Sequence, residues 1–287
     1  MPAALSVVIP AHNAARWIAE AVASVQAQAL QPAPDVVVVA NHCSDDTATI
    51  AAAAGARVID SPAPGPAAAR NAGVAATTTP HVAFLDADDL WPPASCAARL
   101  ALLDATPDAA MVFGDCLQFD DDDDGGGRRM HARSLFAAGG LDAAFFGDPV
   151  RVIDPLERLL DADFVTTGAV IMRRSAFDAL GGFDPTLPLV EDLDLWLRTA
   201  ARYPVLWHGA TALLRRRHGS NLSRDAAAMQ RAYIDVLARL AALPEAQPLR
   251  ARIRRLQRRE HRALARTALA AGRPLQALAH GWRGCTP

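Results

Sequence analysis

At 287 residues with 51% hydrophobic content, the chain is long enough to bury one large core or two modest ones. Its formal charge of −2 gives no general electrostatic case for a nucleic-acid partner, and its four scattered cysteines fit neither a zinc site nor a disulfide framework. The opening "MPAALSVVIPAHN" lacks the basic segment of a signal peptide, and no uncharged stretch reaches the roughly 20 residues of a spanning helix, so a reduced, cytoplasmic chain is expected.

In chain order, "LSVVIP" (5–10), "DVVVVA" (35–40), "ARVID" (56–60) and "HVAFLD" (81–86) are short, β-branched and bounded by turn formers. They read as parallel strands covered on both faces. Ala-rich stretches near 14–29, 46–54 and 66–76 read as the helices between them. This alternation predicts an open, doubly wound sheet, whose ligands sit beyond the carboxyl ends of the strands. A further strand, "AAMVFGD" (109–115), leads into "FDDDDDGGGRR", where five acids and three glycines predict a solvated loop over 120–127. Beyond it "FVTTGAVIMRR" reads as a strand and "RSAFDALGGFD" as a helix stopped by Gly181-Gly182. "LVEDLDLWLRTAARY" reads as an amphipathic helix, with Asp194–Arg198 a surface pair one turn apart, and "VLWHGATALLRRRHGSN" as a short strand pair. After about residue 222 the chain turns to Ala/Arg/Leu helices, with eight arginines between 250 and 266 against one acid, Glu260. No lysine occurs anywhere in the chain.

The chemistry gathers at strand ends. In extended backbone, side chains two apart point the same way, so Asp86 and Asp88 of "FLDADDLWPP" are expected to project together past a buried strand. Two carboxylates in a half-dry cleft repel unless a cation compensates, and Mg²⁺ or Mn²⁺ takes such oxygens together with substrate phosphates. The plainer alternative pairs these acids with arginines and lets Asp89 cap a helix opening at Pro92-Pro93.

Seven segments then occur together in order: "SVVIPAHNAARWIAEAVASVQAQ", "SDDTATIA", "GPAAARNAGVAAT", "HVAFLDADDLWPP", "RRSAFDALGGFD", "VEDLDLWLRTA" and "LLRRRHGSNLS". Over residues 5 to about 223 the chain resembles the inverting family-2 glycosyltransferases of the GT-A fold. The resemblance implies a Rossmann-like, mostly parallel sheet with helices on both faces, plus a C-terminal helical extension. It places a GT-A domain at 1–222, with a nucleotide-sugar half at 1–117 and an acceptor half at 118–222, and the Arg-rich extension at 223–287. It assigns Pro10, Ala11 and His12 to the nucleotide base, with His12 standing where the family usually has Tyr. Asn13 is read as a cap of the first helix. Asn41 stands where the family has an acid that reads the base, and Arg70 and Asn71 steady the nucleotide. Asp86 becomes the ribose-side acid, Asp88 the metal ligand, and Asp89 a supporting group or cap. Asp192 of the pair Glu191-Asp192 becomes the base that deprotonates the acceptor. His218 approaches the metal or diphosphate, Arg216 and Arg217 the phosphates, and Thr166 and Thr167 the acceptor pocket.

The activity so implied is metal-dependent transfer of a sugar from a nucleoside diphosphate, UDP ahead of GDP or TDP, to a hydroxyl acceptor. The alternative is a non-catalytic nucleotide-binding or scaffold module on the same fold. The haloacid-type phosphatases also place two such acids at a strand end, but the Thr they need soon after is absent from "DADDLW". A nucleotidyltransferase would open on a Gly-rich basic loop, which "PAHNAARW" is not. The Arg-rich tail is read either as peripheral contact with anionic lipid or as a helical cap with a solvated basic face.

Overall fold

Strand and helix alternate as expected in the computed structural model of the chain, which describes residues 4–121, 127–218, 225–273 and 278. Strands β1 (Leu5–Ala11), β2 (Asp35–Ala40), β3 (Arg57–Asp60) and β4 (His81–Phe84) pair in parallel in the order β3-β2-β1-β4. Helices α1 (Ile18–Gln26), α2 (Thr47–Ala53) and α3 (Pro66–Ala75) make the crossovers, and α4 (Ser95–Asp104) leads to β5 (Met111–Asp121). After β6 (Arg128–Met130) come three short helices, α5 (Leu135–Gly139), α6 (Ala143–Phe146) and α7 (Pro155–Asp161). β7 (Val170–Arg173) then fills the space between β4 and β5, antiparallel to both.

The sheet is therefore mixed at this end and parallel at the other, which is the GT-A arrangement the resemblance implied. "FVTTGAVIMRR" supplies only four strand residues, because Thr167–Ala169 first form a 3₁₀ turn pressed against β8. A Cβ on Gly168 would lie 2.7 Å from Leu213 Cδ1, so only glycine lets the turn come this near.

α8 (Arg174–Leu180) stops where predicted, at Gly181 with φ +78°, a left-handed C-cap. α9 (Glu191–Arg202) follows, and β8 (Val205–Arg216) corrects an expectation. It is one long strand parallel to β5 and not a strand pair, its irregular register at Gly114 and Asp115 absorbing the Gly209 region as a bulge. The acidic run is corrected in part. Asp120 and Asp121 belong to β5 and pair with Arg129 and Arg128 of β6, while 122–126 lie outside the described residues.

Period-two alternation sorts the strand residues onto two cores. Val8, Val37, Val39, Val82 and Phe84 face α3, α8 and α9 on one side. Val7, Ile9, Val36, Val38, Ala83 and Leu85 face α1 and α4 on the other. α10 (Ala226–Ala242) and α11 (Arg250–Ala270) carry Leu237, Leu240 and Ile253 into the first core, beside Trp196 of α9. α9 is thus covered on more than its apolar face. Glu191 and Asp194 are both buried, so the amphipathic reading of this helix holds for its leucines and fails for its acids. The Asp194–Arg198 pair does form, but inside the fold, with Arg198 also donating to the Leu180 and Gly182 carbonyls.

Candidate active site

The carboxyl ends of β1, β2 and β4 make the floor of the candidate site. Asn41, just past β2, is buried and tied to β1 by its N–H to the Ala11 carbonyl, 2.7 Å away. Its side-chain Nδ2 donates to the Gly65 carbonyl (2.9 Å), which fixes the amide and leaves Oδ1 as its acceptor. Pro10 and Ala11 end β1, and exposed His12 sets Nδ1 2.7 Å from the Asn41 carbonyl. Asn13 does not cap α1, whose N-cap is Trp17. With φ +49°, it accepts the Ser44 N–H at Oδ1 (2.8 Å) and pins the loop after β2.

After Phe84 the chain leaves the strand, and a turn closed by the Asp89 N–H to the Asp86 carbonyl (3.0 Å) presents the acids. Asp86, Asp88 and Asp89 therefore fan out from a turn instead of alternating along extended backbone. Asp86 accepts from Arg70 at 2.7 Å, and Asp88 Oδ2 lies 2.6 Å from His218 Nε2. Asp89 is buried and accepts the Arg216 N–H (2.9 Å). It caps no helix, since α4 begins later with Ala94 at its N-cap. Burial, then the nearby charges of Asp88 and Asp86, push its carboxyl well above the usual range.

Arg70 joins the two halves of the chain. It lies buried on α3 and donates to Asp86 with one guanidinium nitrogen and to Glu191 with the other (2.6 Å). Burial works against its charge, but Asp86, Glu191 and Asp192 more than offset that and hold it protonated. Burial pushes Glu191 up and Arg70 pulls it back; with a 2.6 Å bond to a guanidinium, we take the carboxylate form as the bound one. Asp192 follows in the first turn of α9, where the Thr167 hydroxyl donates to Oδ2 (2.7 Å) and the Leu193 N–H to Oδ1 (2.8 Å). Val190, immediately before this pair, has φ +54°, a conformation costing a β-branched residue about 1–3 kcal/mol.

Three sequence-derived candidates stand apart from this cluster. Asn71 exchanges hydrogen bonds with the Phe183 backbone (2.7 and 3.0 Å) and so anchors the Gly181-Gly182 turn. Thr166 is half-buried and stands at the N-cap of the 3₁₀ turn. Arg217 is exposed, its N–H bonded to the Phe119 carbonyl, and its neighbour Arg216 takes the interior position. Buried Arg216 donates to the Asp88 carbonyl (2.8 Å), to Glu20 (2.5 Å) and to Asp121.

Three further residues were missed as site candidates. Trp17 stacks on His218 with ring centroids 4.5 Å apart, and with Glu20 makes the first turn of α1 a dock for the end of β8. No motif distinguishes Trp17 in the sequence from a core aromatic. Asp163, before the 3₁₀ turn, is pushed up to about 6, first by burial and then by Asp192, while Arg215 pulls it down. The residue is exposed to water, so solvent softens that push. Nothing in "DADFVTT" marks it.

Residues 6–181 match the family described as Glycosyl transferase family 2. The chain belongs to this family. The match covers more than half of the chain and stops before α9. Among curated relatives, the succinoglycan biosynthesis protein ExoU of Rhizobium meliloti is 32% identical over 243 residues, 77% of this chain and 64% of its own length. A pre-mycofactocin glycosyltransferase of Mycobacterium tuberculosis is 30% identical over 55% of this chain and 31% of its own. This chain thus spans less than two thirds of either relative. Among solved structures, Staphylococcus aureus TarS 1–349 in complex with UDP-GlcNAc superposes with a TM-score of 0.71, at 16% identity over 98% of this chain and 79% of that one. The mannosyltransferase PcManGT of Pyrobaculum calidifontis, in complex with GDP-Man and Mn²⁺, reaches 0.61 at 18% identity over 97% of this chain and 79% of that one. Both likenesses confirm the fold.

The family's fold raises the question of a cation. Among the described residues no group of three or more His, Cys, Asp and Glu could hold a metal ion. Asp88 and His218 offer one carboxylate oxygen and one imidazole nitrogen at a single spot. Two protein ligands fit a divalent cation that takes its other ligands from water and substrate phosphates, and they do not fit a closed structural site. No helix among the described residues is long and apolar enough to cross a membrane.

Proposed function

We propose that the chain is an inverting glycosyltransferase that moves a sugar from a nucleoside diphosphate to a hydroxyl acceptor, with a divalent cation, Mn²⁺ or Mg²⁺, held at Asp88 and His218. The observation that carries this reading is buried Arg70 bridging Asp86 and Glu191, 121 residues from its second partner. One guanidinium holding both Asp86 and Glu191 supports a shared site for the donor-side acid and the Glu191-Asp192 pair.

Each residue then has a task. Pro10, Ala11 and His12 border the base, and the Asn41 Oδ1 left free by the Gly65 bond meets an imide N–H, as uracil offers. Thymine offers the same imide N–H and guanine its N1–H, so this acceptor alone does not separate the bases; UDP is put first on the UDP-GlcNAc complex of TarS, while the GDP-Man complex of PcManGT keeps the purine in play. Asp86 faces the ribose. When bound, the cation supplies positive charge that eases departure of the diphosphate. Asp192, oriented by Thr167 and the Leu193 N–H, takes the acceptor proton as the acceptor oxygen forms its bond to the anomeric carbon and the bond to the diphosphate oxygen breaks. Attack from the face opposite the leaving group inverts the anomeric configuration. The acceptor is a glycan, lipid-linked or small-molecule alcohol, and the succinoglycan relative favours the glycan. A cytoplasmic location, with the extension able to meet the inner membrane face, completes the proposal.

Two variants test it. Asp192→Asn is expected to retain metal-dependent binding of UDP, read as a thermal shift, and to lose transfer by about 10²–10⁴-fold. Asp88→Asn is expected to lose the metal-dependent shift itself. Transfer retained by Asp192→Asn would remove that residue from the base role, and no metal-dependent shift with any nucleoside diphosphate would remove the donor.

A further inference from the structure

Outside the cleft, the strongest charged feature is one face of α11. Arg255, Arg258, Arg259, Arg262 and Arg266 line a single open groove along it. At 100° per residue these five positions fall within about 100° of the helix circumference and along about 16 Å of its axis. The opposite side holds Ile253, Leu264 and Ala268, all buried against the body of the protein. The arginine face therefore points outward by construction. Arg252 lies beside the stripe and is already neutralised by Glu157 and Asp161 of α7. Within the stripe Arg259 pairs with Glu260, whereas Arg255, Arg258 and Arg266 make no ion pair among the described residues.

One further residue falls on the same face. Leu269, one turn past Arg266, is 61% exposed, the second most exposed large hydrophobic side chain among the described residues. A row of arginines alone fits any polyanion. A row of arginines ending in an outward leucine fits a surface with negative headgroups over an apolar layer, because the leucine gains nothing from a polysaccharide or nucleic acid. Location gives the face a purpose. α11 packs on α10, with Gln230 donating to Glu260 (2.7 Å), and α10 packs on α9, the helix that carries Asp192, so α11 lies on the α9 side of the fold.

We propose that the Arg255–Leu269 face of α11 docks on an anionic lipid surface and so presents the acceptor side of the cleft to the membrane. The docking itself rests on no residue of the site, whereas the statement that the acceptor side meets the membrane rests on the function proposed above. The full chain is sedimented with vesicles of phosphatidylcholine alone and of phosphatidylcholine mixed with phosphatidylglycerol, at low and raised salt. Binding is expected only to the mixed vesicles and to weaken with salt. Neutralising one arginine lowers partitioning about fivefold. The triple variant Arg255→Gln, Arg262→Gln, Arg266→Gln is therefore expected to lose about 100-fold, and Leu269→Asp alone about tenfold. Circular dichroism checks that each variant is folded. Should the triple variant fail to fold, Leu269→Asp decides by itself, since its side chain is already in water. Equal binding to neutral vesicles, unchanged binding by a folded triple variant, or indifference to Leu269→Asp with retention on a sulfated polysaccharide would each overturn the proposal, the last pointing to a soluble polyanion.

Discussion

At the scale of the residue, Arg70 shows how a single side chain can be both structural and chemical. Its guanidinium is buried between a half-exposed carboxylate, Asp86, and a nearly buried one, Glu191. Replacing it by leucine strands Glu191 in a dry pocket, which typically costs about 3–5 kcal/mol. Arg70→Leu is expected to lower the unfolding free energy read from urea titrations by that amount, and adding Glu191→Leu to recover part of it. Additive losses in the double variant would show that the pair is not coupled. Asp163 makes a second residue-scale prediction. Because its folded carboxyl is pushed up to about 6, the folded chain keeps a proton that the unfolded chain has released by about pH 4. Its contribution therefore makes stability fall as pH rises from about 4 to about 6 and then level off. Asp163→Asn should abolish that portion of the slope in urea titrations at several pH values; an unchanged slope would assign it to other groups.

At the scale of the element, α3 sets the position of Arg70, and α3 is set by how closely it meets the sheet. A Cβ on Gly73 would stand 2.3 Å from Val8 Cγ1 and 3.0 Å from Val39 Cγ2. Gly73→Ala must therefore move the helix off β1 and β2. Overpacking of this kind costs about 1–3 kcal/mol, against up to about 1 kcal/mol gained in helix propensity. A net fall in thermal midpoint is expected, with weakened donor binding because Arg70 sits one turn away on the same helix. A midpoint that rises would mean the sheet yields more readily than its fully buried valines suggest. α9 is placed in a related way, its acids accepted into the interior because Arg70 and Arg198 meet them there.

At the scale of the whole molecule, the extension and the catalytic body share apolar packing. Ala246 and Ile253 are fully buried in the same core as Trp196, so a chain ending at residue 243 uncovers α9 and α10. Such a truncation is expected to lower the thermal midpoint and to aggregate on heating, read by light scattering. An unchanged midpoint would show that α11 contributes only its outward face.

The sequence by itself determined the parallel half of the sheet, because apolar β-branched runs between helical stretches have few other ways to bury both faces. It also singled out Asp86, Asp88 and Asp192 as candidates, since seven ordered segments carry the resemblance and these acids stand in them. What only the tertiary structure decided depends on contacts between distant segments. Asp89 looked like a cap in the sequence, and lies instead beneath the Arg216 backbone brought to it by β8. Arg217 and Arg216 are indistinguishable in "RRRHG", and strand alternation together with Glu20 on α1 turns the second of them inward. Trp17 acquires its role only when β8 delivers His218 to its ring, and α9 hides its acids only because arginines 121 residues upstream and one turn downstream are there to receive them. Local pattern reports what a residue prefers; the closing of long loops decides which charge it meets.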